Sequence, residues 1–201
     1  MKPALLAILG TLALPGCALL GKSEPVVPHY FTPGYDGDAA AAVAPAGLQL
    51  RLGRIEGWTH LRERMVARSA AHEISYSEDR RWTERPEVYL RRALARTLFE
   101  ERGLVESLSG RAATLDVELI AFEEMDQPDQ VRLQAGLVLR DDRTSLLRET
   151  ITVERPVAGS AGNGQVAAVV EAFSQALRAG VTQIADHVVA RLAAQPPPAG
   201  K

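Results

Sequence analysis

Residues 131–140 alternate without interruption: Val131, Leu133, Ala135, Leu137 and Leu139 against Arg132, Gln134, Gly136, Val138 and Arg140. A two-residue period sends the two sets to opposite faces of an extended strand, which commits this stretch to a sheet with one covered face. Residues 115–121 repeat the pattern, with Leu115, Val117, Leu119 and Ala121 set against Asp116, Glu118 and Ile120. Residues 145–153 are less regular, but Thr150-Ile151-Thr152-Val153 is strongly β-forming. Asp141-Asp142-Arg143-Thr144 reads as a tight turn between the second and third of these strands. Residues 123–130, acidic and carrying Pro128, read as a solvated connection between the first and second. Glu123, Glu124, Asp126 and Asp129 lack the spacing of a calcium loop, so a solvated turn is expected there rather than a cation site. The three strands form an antiparallel meander, apolar on one face.

Two amphipathic helices are available to cover that face. Over residues 165–194, Val166, Val170, Phe173, Leu177, Val181, Ile184, Val188 and Leu192 recur in steps of three and four. A shorter helix starts at Pro86, is expected to be capped by Thr83, carries Leu90, Leu94 and Leu98, and stops at Gly103. Upstream, residues 29–32, 48–55, 61–69 and 73–76 read as strands, and 34–47 as an Ala/Gly-rich loop. With 46% hydrophobic and only 5% aromatic residues, the core is expected to be aliphatic, with Trp82 a packing residue near the first helix; Trp58 is the better candidate for exposure of the two, with core packing an equal reading for it. The expected fold is α+β, an α/β sandwich in one domain. Its sheet is mostly antiparallel or mixed, with two main helices packed on it and the longer one C-terminal.

The N-terminus is a different kind of sequence. Lys2 precedes an apolar run over residues 4–14, too short to span a bilayer and shaped like a secretory signal. It ends in Leu14-Pro15-Gly16-Cys17, which resembles a bacterial lipobox. That resemblance implies cleavage between Gly16 and Cys17, a diacylglycerol on the Cys17 sulfur and a further acyl chain on the new amino group. Two or three acyl chains anchor stably, at about 0.8 kcal/mol per buried methylene. A secreted protein with a free thiol and an uncleaved apolar segment are the competing readings. Ala18, where enteric lipoproteins retained in the inner membrane carry aspartate, implies the outer membrane. The expected organisation is a signal peptide over 1–16, a lipidated tether over 17–28, one domain over 29–194 and a frayed tail over 195–201.

Nothing in the rest of the chain assembles a catalytic set. Cys17 is the only cysteine, so neither an intramolecular disulfide nor a cysteine-rich zinc site is expected. His29, His60, His72 and His187 show no ligand spacing, and His187 is expected at the surface. Gly159-Ser160-Ala161-Gly162 is neither a nucleophile elbow nor a Walker loop and reads as a flexible connection. With 23 basic and 25 acidic residues the chain lacks the basic excess of a nucleic-acid binder. No cofactor, metal or catalytic residue is expected.

One further pattern is specific. Tyr76-Ser77-Glu78-Asp79-Arg80-Arg81-Trp82 leads through Pro86 into the leucine-striped helix, then a three-strand meander and a long alanine-rich helix, all after a lipobox cysteine. This order resembles the ABC-type transport auxiliary lipoprotein family. The resemblance implies a non-enzymatic periplasmic subunit that works with a mammalian-cell-entry-type protein and an ABC transporter, moving lipids, phospholipids among them. Two alternatives stand beside it. One is an outer-membrane lipoprotein assisting another envelope machine such as a cell-wall synthase. The other is a periplasmic hydrolase, for which the histidines offer no clustered base.

Overall fold

The structure, a computed structural model, describes residues 25–35, 47–108, 112–159 and 163–195. Its strands are β1 (His29–Phe31), β2 (Gln49–Gly57), β3 (Arg64–Ala70), β4 (Glu73–Trp82), β5 (Val105–Glu106), β6 (Ala113–Met125), β7 (Gln130–Arg140) and β8 (Ser145–Pro156). The helices are α1 (Pro86–Ala95), continued by a π-helical turn over Arg96–Glu101, and α2 (Asn163–Ala193). The expected α+β class is what forms: one mixed sheet with both helices packed on it and the longer helix C-terminal.

β6 is the axis of the sheet. One edge pairs antiparallel with β7 along nearly its whole length, and β7 pairs antiparallel with β8. The other edge is shared: β2 runs parallel to its first half and β3 parallel to its last residues. β4 then adds to β3, β1 to β4 and β5 to β2. With one face covered, β6 alternates as expected over residues 115–119, Glu118 being exposed between buried Val117 and Leu119, while residues 113–115 and 121–123 are each buried in succession.

α2 lies over β7 and β8, while α1 lies over β2 and against α2. Leu90, Leu94 and Leu98 are fully buried from one side, and Phe173, Leu177, Val181, Ile184 and Val188 from the other. Each such side chain contributes on the order of 1.5–3 kcal/mol by leaving water. At the centre Trp82, Phe122 and Phe173 form a triangle of rings with centroids 5.3, 5.0 and 4.4 Å apart. Gly180 lets α2 approach β7: a Cβ there would stand 2.9 Å from a Leu133 methyl. Val166 and Val170, the first members of the α2 stripe, are only half-buried because they line an open groove beside β1. No helix among the described residues is long and apolar enough to cross a membrane.

Several expectations need correction. β4 runs ten residues rather than the four of 73–76, because its polar second half, an edge in composition, is held between β3 and β1. β2 extends to Gly57 and carries a bulge at Gly53-Arg54 that resets its alternation, so Ile55 rather than Arg54 follows Leu52 on the covered face. β6 continues through Glu123 and Glu124, which are not a solvated turn: the turn is confined to residues 126–129. Thr83 does not cap α1. The N-cap is Arg85 without a side-chain bond, and the Thr83 hydroxyl instead meets Thr32 and Tyr89. Gly103 ends the first helix as expected, at φ 66°.

Candidate functional site

Gly16 and Cys17, the residues singled out for cleavage and lipidation, lie outside the described residues, as do most of 34–47 and the loop residues 160–162. The described chain begins with the end of the expected tether. Val26 and Val27 are exposed, and the chain then enters β1. β1 pairs in parallel with the end of β4, Phe31 opposite Trp82, and the Thr83 N–H donates to the Phe31 carbonyl. β1 is thus joined to the strand that carries the central tryptophan. Beside it, His29, Phe31, Val166, Val170 and Ser174 line an open groove of about 760 Å³, in which the Gly34 N–H donates to Ser174 Oγ.

A second constellation stands where the chain passes from β2 to β3. The Trp58 N–H donates to the Leu119 carbonyl, which fixes the connection to the middle of β6, and the indole is 45% exposed, so of the two readings open for it core packing is not the one that forms. His60 meets Trp58 edge-on at 6.1 Å. Burial lowers the His60 imidazole from its ordinary value, opposed by the Glu123 charge and reinforced by Arg68. Glu123 is 1% exposed and takes two bonds from Arg68, at 2.7 and 3.0 Å, with Arg132 3.8 Å away. Arg132 also donates to Glu154, so the polar face of the sheet carries a continuous ion ladder from β3 through β6 and β7 to β8. Glu124, on the other face, is paired with Arg80 while burial raises its carboxyl from the ordinary value. Sequence reasoning missed this network because each carboxylate's cation comes from a different strand.

A third feature is a cleft of about 490 Å³ at the bulge of β2, where Arg51, Arg54, Arg91 and Arg140 converge with Asp116, Asp141 and Asp142. Much of its charge is already engaged. Asp116 accepts from the Arg54 N–H and from Arg140 Nε, and Arg91 donates to the Gly53 carbonyl. Asp141 is used by its own turn, where the Thr144 and Arg143 N–H groups hold its carboxyl below the usual value.

The remaining histidines do not gather. His187 is half-exposed on α2 and bonds Glu149 on β8, in line with its expected surface place, and His29 lines the groove. Among the described residues no group of three or more His, Cys, Asp or Glu side chains is arranged to hold a metal ion. The exposed features are an aromatic side chain at Trp58, a groove beside β1 and a charged sheet face.

The fold has solved relatives. A crystal structure of the protein XCC0632 from Xanthomonas campestris is 19% identical at TM-score 0.65, with 81% of this chain and 96% of that one covered. A crystal structure of an uncharacterised protein matches at TM-score 0.62 and 14% identity, over 81% and 99% of the two chains. A 1.65 Å structure of the hypothetical protein CT253 from Chlamydia trachomatis matches at TM-score 0.54 and 9% identity, over 75% and 100%. At these identities the likeness is one of fold alone. A search among curated proteins finds no match. A family model described as ABC-type transport auxiliary lipoprotein component matches residues 36–185, most of the chain, and the chain belongs to that family.

Proposed function

We propose that this protein is a lipid-anchored, non-catalytic docking subunit of an ABC-transporter system that moves lipids across the envelope. Residues 1–16 direct export and are removed after Gly16. Cys17 carries the acyl chains, 17–28 tether, 29–194 form the docking domain and 195–201 trail behind it. The anchor sits in the outer membrane with the domain on its periplasmic side, and the partner is a mammalian-cell-entry-type protein together with its transporter. The reading rests on one observation: the family match over residues 36–185 occurs in a chain whose start carries Leu14-Pro15-Gly16-Cys17. The transport work is driven elsewhere, since the domain contributes surfaces and a reach. The eleven residues 18–28 can extend over about 35 Å, enough to hold the sheet clear of the headgroups.

Crosslinking in intact cells followed by purification of this chain tests the proposal. The expected result is recovery of a mammalian-cell-entry-type protein with a transporter permease and ATPase, lost in Cys17→Ala because the domain is mislocalised. Recovery of a cell-wall synthase instead would transfer the protein to another envelope machine. Recovery of neither would end the transport reading.

A further inference from the structure

The outer strand β8 carries the strongest feature that the proposed function leaves unused. Among the described residues it pairs only with β7, so its other edge presents a row of backbone donors and acceptors over most of twelve residues. Arginine side chains take the carbonyls near its ends, Arg191 that of Leu146 and Arg155 that of Glu154. The stretch between has no partner on that side among the described residues. Arg148, Thr150, Thr152 and Glu154 share the polar face, opposite Val138, Gly136, Gln134 and Arg132 of β7, and all four are exposed. Arg148 has no ion-pair partner among the described residues, while Glu154 has Arg132 on one side only.

We propose that β8 pairs antiparallel with β8 of a second copy, about a two-fold axis at Ile151, joining two sheets into one. A single-signed edge would repel its own copy, but this edge is self-complementary. Arg148 and Glu154 stand three residues either side of Ile151, so that register sets each arginine opposite the partner copy's glutamate, twice per dimer. Centring the axis on Thr150 places Arg148 opposite Thr152 and leaves no charge pair. Centring it on Thr152 places Arg148 opposite Pro156 and gains only Glu149 opposite Arg155, on the face that α2 covers, where Glu149 bonds His187. Parity excludes registers between these, because they would set polar-face residues opposite covered ones.

The helices permit the same arrangement. α2 lies over both β7 and β8, and His187 and Arg191 reach from it toward β8. With strands about 4.8 Å apart, a two-fold at the β8 edge brings the two α2 axes to about 10 Å. That is the separation at which helices pack. The inference is independent of the transport reading, since it concerns how copies of this chain meet and not what they serve.

Sedimentation equilibrium of the full chain in density-matched detergent tests it. The expected result is a dimer whose dissociation constant rises at least about tenfold in Arg148→Glu, where two opposite-charge pairs become like-charge pairs. The double exchange R148E/E154R restores complementarity and is expected to recover the dimer, with circular dichroism showing that each variant retains its fold. A monomer at every concentration, a dimer indifferent to Arg148→Glu, or a double exchange that fails to recover association would each overturn the proposal.

Discussion

Replacing Glu123 tests whether the ion ladder on the polar face is structural. Its carboxylate is 1% exposed and receives both the Nε and a terminal amine of Arg68, the bidentate geometry in which charged pairs are strongest. Breaking a wholly buried pair costs about 3–5 kcal/mol. Arg68 keeps 22% and Arg132 29% side-chain exposure, so water can recover part of the loss. Glu123→Ala is therefore expected to destabilise by about 2–4 kcal/mol. For a chain of this size that lowers the melting temperature by roughly 4–16 °C. Glu123→Gln keeps the shape and one acceptor and should cost less. Urea unfolding followed by circular dichroism gives the difference, and a double-mutant cycle with Arg68→Ala isolates the pair, with an expected coupling above about 1 kcal/mol. A Glu123→Ala variant within about 0.5 kcal/mol of the parent would refute the reasoning.

Two other perturbations read the same region and its neighbour. At Gly53, an added methyl would overlap the Asp116 carboxylate and come within 2.7 Å of a Thr114 methyl, displacing the acceptor of the Arg54 N–H and of Arg140. Gly53→Ala should cost about 2–3 kcal/mol in urea unfolding, and an unaltered midpoint would show that the bulge is not needed. The His60 imidazole is held below 6.5, so the unfolded chain takes up a proton before the fold does. Its contribution is intact above pH 6.5 and is lost as pH falls through the lower folded value. His60→Gln should therefore flatten the stability profile below pH 6.5, and an unchanged slope there would contradict the assignment.

The parts of the fold that sequence reveals are those where burial is one-sided. β7 alternates because α2 covers one face and water meets the other, and α2 shows its stripe because only one side of it meets the sheet. Burial hid what partners hold from several directions. The end of β6 looked like an acidic turn until Arg68, Arg80 and Arg132 arrived from β3, β4 and β7. The polar half of β4 has no period because it lies near the sheet edge with few covered positions. The parallel attachment of β2 and β3 to one edge of β6 joins segments dozens of residues apart, and no local pattern encodes it. Thr83 has the right chemistry for a cap, but Tyr89 and Thr32 claimed its hydroxyl. The proposed anchor rests on a motif alone, Gly16-Cys17 after an apolar run.

Everything proposed for this protein's work depends on that modification. Intact-mass and peptide mass spectrometry of the chain isolated from its own membrane reads it directly. The account predicts a first residue of Cys17 bearing diacylglycerol on Sγ and an acyl group on its amino nitrogen. A mature chain with a bare Cys17 thiol, or one that begins elsewhere, would contradict it.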